Sequence, residues 1–258
     1  MRLLFIGDVV SKRGVGCLCD WLLDIKRKNS IDITVINGEN SATGNGVTAE
    51  SADSLTRIGA DVITTGNHAF RRSGCSVIYE ENQHIIRPAN YPAGAPGRGV
   101  CVLDMGRCQI AVINLMGVVY MEPLDNPFSC IDDILKDIKT PNIFVDFHAE
   151  ASAEKKAMGY YLDGRVTAVI GTHTHVQTAD EQLLPGKTAY ITDAGFTGPE
   201  HSVLGVKKEL AIQRQRFHLP VRFEEAEGSC CINGVIVDFD EKTGRANGIR
   251  RLNIKNLK

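Results

Sequence analysis

The chain has 258 residues, a length that suits one large domain or two small ones. Apolar residues make up 43% of it and charged residues 23%, which excludes an intrinsically disordered chain, a collagen and a coiled coil. The 29 lysines and arginines are balanced by 31 acidic residues, so the formal charge is −2 and a broad nucleic-acid-binding surface is disfavoured. A small charged ligand is compatible with that balance.

No stretch of the chain is apolar for long enough to cross a bilayer, since the longest runs, such as 3–6 and 166–170, are short. The N-terminus reads Met-Arg-Leu-Leu-Phe-Ile-Gly-Asp, so an acid interrupts it before a signal-peptide core could form. We therefore expect a cytoplasmic protein that makes no contact with membranes. The eight cysteines include no Cys-x-x-Cys pair, and we expect reduced, structural thiols.

The first third of the chain alternates short apolar runs with longer amphipathic ones, which is typical of an α/β fold. This pattern predicts strands at 3–7, 34–37 and 61–65 and helices at 16–28 and 48–58. Leu18, Leu22 and Ile25 share one face of the first helix. Thr48 is placed to cap the second helix.

Between residues 87 and 126 the sequence becomes rich in proline and glycine, and it predicts two hairpin strands at 100–105 and 109–114. The alternation of strands and helices then resumes. It predicts a helix at 152–162 and strands at 143–147, 166–171, 189–192, 231–238 and 247–254. We interpret the pattern as an α/β sandwich, two layers of strand flanked by helices, in a single domain over residues 1–258.

Polar side chains follow five of the predicted strands, at the point where each strand ends. They are Asp8; Glu39 and Asn40; Asn67 and His68; His148; and His173 and His175. A lone residue of this kind is more often a turn residue, a helix cap or a hydrogen-bonded core histidine. Five coincident placements, three of them with histidine, need another explanation, because ligands in open α/β sheets bind at the carboxyl ends of the strands. His84, His201 and His218 lack this context and are interpreted as surface or structural residues.

The donor set of these strand ends holds carboxylates, amides and imidazoles but no thiolate, which favours Mn, Fe or Zn over a cysteine-rich structural zinc site. In an extended segment, residues i and i+2 face the same side, so His173 and His175 can address one metal centre. The donors are too many for a single ion and suit two ions that share a carboxylate. Two metals about 3.5–4 Å apart are typical of enzymes that hydrolyse phosphoesters.

At these residues the chain resembles the calcineurin-like metallophosphoesterase superfamily, whose motifs run Asp, Gly-Asp, Gly-Asn-His, His and Gly-His-x-His. The matching pieces are Gly7-Asp8, Gly38-Glu39-Asn40, Gly66-Asn67-His68, His148 and Gly171-Thr172-His173-Thr174-His175. Three positions differ, since Val10 replaces a His or Asn, Glu39 the usual bridging Asp, and Ala69 an acid. The resemblance implies a four-layer sandwich of two β-sheets flanked by helices.

The first two differences are those expected of the YmdB-like family, which the chain resembles over essentially its whole length. The resemblance rests on Ile-Gly-Asp-Val-Val at 6–10, Ile-Asn-Gly-Glu-Asn at 36–40, Arg-Pro-Ala-Asn at 87–90, Asp-Phe-His-Ala-Glu at 146–150 and Gly-Thr-His-Thr-His-Val-Gln-Thr-Ala-Asp at 171–180. It implies 2′,3′-cyclic-nucleotide 2′-phosphodiesterase activity, with 3′,5′-cyclic AMP as a further candidate substrate. It also implies a centre of two iron or manganese ions, with zinc as a third option.

The same resemblance assigns a role to each candidate residue. The first metal is assigned to Asp8, Glu39, Asn40 and His175. The second is assigned to Asn67, His148 and His173, with Glu39 bridging the two ions. His68 is the implied general acid.

The chain departs from the family in two segments that we expect to be loops beside the site. Phe70 and Arg71 stand where a Trp and an acid are expected after Gly-Asn-His, and Ser-Lys-Arg-Gly-Val occupies 11–15. These changes should affect substrate preference and turnover rather than metal binding. Arg13 or Arg71 could face a phosphate, although a solvated loop arginine is the simpler interpretation.

Rival functions have less support. The turn after the first strand carries no Gly-x-Gly-x-x-Gly, and Gly44-Asn45-Gly46 lacks the Lys-Ser/Thr of a P-loop. The main alternative is a metal-containing regulatory or scaffold protein that binds a nucleotide or a protein partner with little turnover. A retained His68 argues against it, because a pure binding site needs no proton donor. We expect a small phosphodiester as substrate and no stable nucleic-acid complex, while the sequence leaves a homo-oligomer open.

Overall fold

The structure is a computed structural model that describes residues 1–257, and these form thirteen strands and six helices. The strands are β1 (Arg2–Ile6), β2 (Asp8–Val9), β3 (Ile33–Asn37), β4 (Val62–Thr64), β5 (Val100–Asp104), β6 (Gln109–Met116), β7 (Ile143–His148), β8 (Ala168–Thr172), β9 (Gln182–Leu183), β10 (Ala189–Ile191), β11 (Phe196–Pro199), β12 (Cys230–Phe239) and β13 (Ala246–Leu257). The helices are α1 (Ser11–Asn29), α2 (Ala49–Arg57), α3 (Ser76–Glu81), α4 (Pro127–Asp137), α5 (Ser152–Tyr161) and α6 (Lys208–Phe217).

The strands form two sheets with parallel centres. The first sheet runs β2-β11-β12-β1-β3-β4, with β13 paired to β12. In it β1, β3 and β4 are parallel, while β12 is antiparallel to β1. The second sheet runs β5-β6-β7-β8-β10-β9, and β6, β7, β8 and β10 are parallel. The predicted hairpin is the antiparallel pair of β5 and β6.

Alternate residues of a strand fill different apolar layers, because successive side chains point to opposite faces of the sheet. In β1, Leu3 and Phe5 lie in the layer between the two sheets, whereas Leu4 and Ile6 lie in the layer that contains α1 and α2. A third apolar layer, which includes Phe147, joins the second sheet to α4 and α5. Three apolar layers separate four layers of structure, so the predicted four-layer α/β sandwich is confirmed. That residues 1–258 form a single domain stays a prediction.

The helix α1 begins five residues earlier than predicted, so the segment 11–15 is its first turn and the predicted loop there is wrong. Gly14 and Gly16 lower the helical signal of the sequence. The structure gives Gly14 a packing role instead, since a Cβ at this position would lie 2.4 Å from the carbonyl oxygen of Thr197 in β11. The helix therefore packs more closely on the first sheet than a larger residue would permit.

Two helices start with the capping chemistry that their sequences favour. The Thr48 hydroxyl accepts a hydrogen bond from the backbone N–H of Ser51 at 3.2 Å, which confirms the predicted cap of α2. The unpredicted α4 has Pro127 as its first residue, and the Asn126 side chain accepts from the backbone N–H of Phe128 at 2.9 Å. The proline-rich stretch before residue 127 therefore ends in a helix start.

The other elements absent from the prediction are short or lack an apolar pattern. Helix α3 has six residues, and β2, β9 and β11 have two, two and four. Helix α6 buries only Ala211, so no apolar stripe marks it. Within residues 1–257 no helix is both long and apolar enough to span a membrane. All eight cysteines are free thiols.

Candidate metal centre

The layer between the sheets ends in polar residues at the carboxyl edge of the parallel strands. In β7, Phe144 lies in the apolar layer, and Asp146 and His148 continue the same face of the strand at two-residue intervals. Four other strands carry a polar residue at or near the same end, Asn37 (β3), Thr64 (β4), Asn114 (β6) and Thr172 (β8), all fully buried. This polar floor supports the residues that follow the strands.

Two groups of potential metal ligands stand on this floor. Glu39, His148 and His173 form one group, and Asp8, Glu39 and His175 form the other; within each group the ligand atoms lie within 4.8 Å of one another. Glu39 belongs to both groups and is 1% exposed. A carboxylate shared by two groups is the arrangement expected of a bridging ligand.

The segment that carries His173 and His175 is not extended, so the predicted conformation is wrong, although both imidazoles do reach groups that share Glu39. His173 has φ of 99° and His175 has φ of 62°, so each adopts a left-handed backbone conformation. The turn sends the two rings into different ligand groups. Thr174 between them is fixed by Asp193, whose Oδ2 accepts hydrogen bonds from its backbone N–H at 3.0 Å and its hydroxyl at 2.8 Å.

The floor orients His148 for metal binding. The Thr172 hydroxyl donates to Asp146 Oδ1 at 2.7 Å, so the same hydroxyl oxygen accepts from His148 Nδ1–H at 2.9 Å. Nε2 of His148 therefore turns toward the cluster, where it lies 2.9 Å from Asn67 Oδ1 and 3.2 Å from Glu39 Oε2. Support of a ligating imidazole through its other nitrogen is typical of metal sites.

The other two histidines are also held from outside the cluster. His173 places Nδ1 3.1 Å from His148 Nε2, while its Nε2 pairs with Glu150 at 3.1 Å. The His175 ring stacks on Phe196, with ring centroids 5.9 Å apart and planes 9° from parallel. Both rings are thus fixed with one edge toward the carboxylates.

Buried polar atoms at the centre lack hydrogen-bond partners. Asp8 Oδ1 has none although Asp8 is fully buried, and the nearest His175 nitrogen, Nε2, lies 3.7 Å away. Nδ1 of His175 is likewise unpartnered. An unpaired buried carboxylate oxygen is costly, and a bound cation satisfies it. The donor set of this chain therefore fits divalent metal ions, as the sequence predicts.

The electrostatics of the cluster favour an added positive charge. Burial alone would lower the pKa of His148, but the facing carboxylates of Glu39 and Asp8 raise it to about 9. Burial and the neighbouring His148 lower the pKa of His173 to about 3. Burial raises the pKa of Asp8, whereas the imidazoles of His148 and His68 hold that of Glu39 well below its usual range despite burial. Without a cation the carboxylates draw a proton onto His148, and a metal ion would supply the same charge.

The remaining predicted residues lie at the same centre. Asn40 directs Nδ2 to Glu39 Oε1 at 2.7 Å and to His175 Nε2 at 3.4 Å, so coordination through Oδ1 requires the amide to rotate. His68 is in neither ligand group, and its Nδ1 lies 2.8 Å from Asn40 Oδ1 and 3.1 Å from Glu39 Oε1. The His68 side chain is 23% exposed, so it borders the open side of the centre.

Gly66 allows the segment with Asn67 and His68 to approach the centre. A Cβ at this position would lie 2.3 Å from His148 Nε2 and 2.5 Å from Glu39 Oε2. A larger residue would therefore displace two predicted metal ligands. Glycine is therefore required at this position of the Gly-Asn-His motif by lack of space and not by its φ angle.

Sequence reasoning missed a buried ion pair beneath the His173–His175 turn. Lys155 Nζ donates to Asp193 Oδ2 at 2.7 Å, and both side chains are at most 1% exposed. Asp193 follows β10, the sixth strand end to deliver a polar side chain to this edge. A lysine on the buried face of a predicted helix was the signal available in the sequence.

Of the residues beside the site that differ from the family, Phe70 and Arg13 have structural roles. Phe70 packs edge-on against Tyr79 and Tyr91, with centroids 5.5 and 5.1 Å away. Arg13 donates to the carbonyl oxygen of Gly228, at 2.6 Å from Nη2. Arg71 is exposed, as expected of a solvated arginine.

Comparisons with known proteins give sequence matches over nearly the whole chain. A model of the family described as YmdB-like protein matches residues 4–252. The chain is 46% identical to the 2′,3′-cyclic-nucleotide 2′-phosphodiesterase of Bacillus subtilis over 254 residues, which cover 98% of this chain and 96% of that protein.

Solved structures show the same fold. The crystal structure of a novel phosphatase of Mycoplasma pneumoniae is similar with a TM-score of 0.94 and 31% identity, covering 99% of this chain and 93% of that one. A calcineurin-like phosphoesterase of Bacillus subtilis has a TM-score of 0.58 at 10% identity, covers 99% and 90%, and supports the fold alone.

Proposed function

The chain belongs to the YmdB-like family, and we propose that it is a metal-dependent phosphodiesterase that hydrolyses nucleoside 2′,3′-cyclic phosphates to 3′-phosphates. The observation that carries the proposal is that buried Glu39 belongs to both groups of potential metal ligands. The chain that carries this residue is also a relative of the Bacillus subtilis 2′,3′-cyclic-nucleotide 2′-phosphodiesterase. The substrate class comes from that relative, whereas the phosphodiester chemistry also follows from the cluster.

We propose the following ligands for two metal ions, iron or manganese in the first place and zinc as the third option. The first ion would be held by Asp8, Glu39, Asn40 and His175. The second would be held by Glu39, Asn67, His148 and His173. When bound, two such ions lower the pKa of water and neutralise charge on phosphate oxygens, which is the chemistry needed for phosphodiester hydrolysis.

His68 is the proton donor in this proposal. In the structure its Nδ1 lies 2.8 Å from Asn40 Oδ1 and 3.1 Å from Glu39 Oε1, so this nitrogen faces the centre. The opposite nitrogen is then available on the open side of the centre, where it can give its proton to the departing 2′ oxygen. Buried Glu39 and Asp146 fix the surrounding ligands, so the geometry for this transfer is prepared before substrate binds.

The wider setting is also part of the proposal. We infer a small phosphodiester substrate, a cytoplasmic location, and no stable nucleic-acid complex, because the formal charge of −2 gives no excess of cations for a long polyanion. A homo-oligomer is compatible with this function.

The deciding experiment is chromatography of the products from 2′,3′-cyclic AMP with manganese-loaded protein. We expect 3′-AMP, because cleavage occurs at the 2′ ester. Exclusive 2′-AMP would mean that the other ester bond is cleaved. Turnover of a different phosphoester alone, from a panel with Mn or Fe added, would assign another substrate. Fully metallated protein without turnover on any phosphoester would favour the regulatory or scaffold function.

A further inference from the structure

A groove of about 770 Å³ opens beside the metal centre, and none of the roles above uses it. Asn40 and Val10 line its inner end, next to the predicted ligands of the first metal. Its far side is formed by residues 204–206 and 222–225, which we term the outer wall. The volume lies within the range of small-molecule binding sites.

The outer wall is joined to the metal-bearing segment by close contacts. Gly205 packs on Val10, since a Cβ at Gly205 would lie 2.5 Å from Val10 Cγ1. Two backbone hydrogen bonds at the ends of its two segments join them, from Lys207 N–H to the Glu224 carbonyl at 3.0 Å and from Ala226 N–H to the Gly205 carbonyl at 2.9 Å. The wall is therefore a fixed surface at the mouth of the centre.

Phe223 is the aromatic residue of this wall. Its side chain lines the groove and is 49% exposed, so part of the ring is accessible to a ligand. The guanidinium of Arg214 lies over one face of the ring, 5.9 Å from its centroid, and holds the ring in place. A planar heterocycle that enters the groove meets a ring suited to stacking.

The opposite side of the groove is polar and held in place by Arg72. This arginine donates from Nε to the Asn45 carbonyl at 2.7 Å and from Nη2 to the Thr43 carbonyl. Its side chain thereby fixes the 43–45 turn along the groove. A groove with an aromatic ring on one side, a polar turn on the other and a metal centre at its end matches a molecule with a base, a sugar and a phosphate.

We propose that this groove is the nucleoside subsite and that Phe223 stacks on the base of the substrate. The inference rests on the proposed phosphodiesterase function and deepens it, since it says which part of the chain selects a nucleotide over another cyclic phosphodiester. The phosphate lies at the metal centre, the ribose passes Asn40, and the base lies against the outer wall. Phe223 is thus a specificity-determining residue that takes no part in the chemical step.

The test compares two substrates that share the five-membered cyclic phosphate but differ in the nucleoside. These are 2′,3′-cyclic AMP and glycerol 1,2-cyclic phosphate, which has no base. Stacking of a base on an aromatic ring contributes about 1–3 kcal/mol. In manganese-loaded protein, Phe223→Ala should therefore lower kcat/KM for 2′,3′-cyclic AMP about 5- to 150-fold, mainly through KM. It should leave glycerol 1,2-cyclic phosphate within about twofold, and Phe223→Trp should retain the preference for the nucleotide.

Phe217→Ala is the matched control, because Phe217 is 54% exposed in the same part of the chain but does not line the groove. This variant should leave kcat/KM for both substrates unchanged. A second measurement needs no metal: saturation-transfer NMR with adenosine should show binding to the metal-free wild type and a loss in Phe223→Ala.

The outcomes separate the two proposals. If the wild type is active and Phe223→Ala has an unchanged kcat/KM for 2′,3′-cyclic AMP, the nucleoside subsite alone is overturned. The same conclusion follows if Phe223→Ala loses kcat/KM equally on both substrates. Wild type that hydrolyses neither cyclic phosphate would overturn the proposed function and, with it, the subsite.

Discussion

The metal centre and the outer wall lie side by side but are built by different physics. The centre stands on strand ends whose side chains are buried and hydrogen-bonded to one another. Asp146, for example, accepts hydrogen bonds from the hydroxyls of Thr64 and Thr172. The outer wall consists of two segments, largely at the surface, that are joined by two backbone hydrogen bonds and by the surface ion pair of Glu224 with the adjacent Lys207. A change in the wall can alter what binds without moving the ligands, whereas a change in the floor alters the ligands themselves.

The strongest contrast is expected for metal content when an acid is removed from each region. Glu39→Ala takes a ligand from both ions and leaves two cations with less negative charge between them, so metal per chain should fall from about two to well below one. Asn67→Ala should mainly weaken the second ion. Glu225→Ala, in the outer wall, should keep both metals. The measurement is elemental analysis after anaerobic reconstitution, and wild type that saturates at one metal would contradict a binuclear centre.

Turnover gives the next contrast. His68→Ala removes the proposed general acid and should lower kcat for 2′,3′-cyclic AMP about 10²- to 10⁴-fold with metal content unchanged. His218→Ala, at the end of α6 and outside the groove lining, should keep the wild-type rate. Steady-state kinetics and elemental analysis on the same preparations check this. A stoichiometric loss of metal from His68→Ala would make His68 a ligand instead.

The free energy of unfolding should respond differently to the loss of Lys155, beneath the metal centre, and of Lys207, beside the outer wall. Lys155→Met leaves the Asp193 charge buried and unpaired, which should cost about 3–5 kcal/mol in the free energy of unfolding. Lys207→Met breaks a pair whose side chains are 42% and 60% exposed and should cost at most about 1 kcal/mol. Urea unfolding of the metal-free proteins measures both. Equal losses would mean that the floor is no more tightly specified than the wall.

The smallest expected effect is a dependence of stability on pH. Burial would raise the pKa of Asp180, but hydrogen bonds from Thr178 and Thr192 hold it below the ordinary 3.8. Because the folded-state pKa is depressed, the carboxylate stabilises the protein above pH 3.8 and loses this contribution as pH falls through the folded value. Asp180→Asn should thus be less stable than wild type at pH 6, with a difference that shrinks toward pH 3. Urea unfolding across that range tests it, and a constant difference would exclude the charge as its source.

The sequence by itself determined most of the strands and the polar residues that follow them. Short apolar runs placed β1, β3, β7 and β12 within a few residues, and the parallel arrangement brought Asp8, Glu39, His148 and their partners to one edge. The resemblance to the YmdB-like family added the substrate class, which the pattern of strand ends does not specify.

Only the tertiary structure decided what supports those residues and what surrounds them. Asp146 and Thr172 look like isolated polar residues in apolar strands, and Lys155 and Asp193 are 38 residues apart, so their pairing exists only after the strands align. The left-handed turn at His173 and His175 arises from contacts that local propensity does not encode. The outer wall could not be predicted from the periodicity of apolar residues. It joins residues near 205 and 225 through hydrogen bonds between loop segments and not through a helix or strand. Local pattern fixes which face a side chain takes; long-range contacts fix its neighbours, because they form between segments distant in the chain.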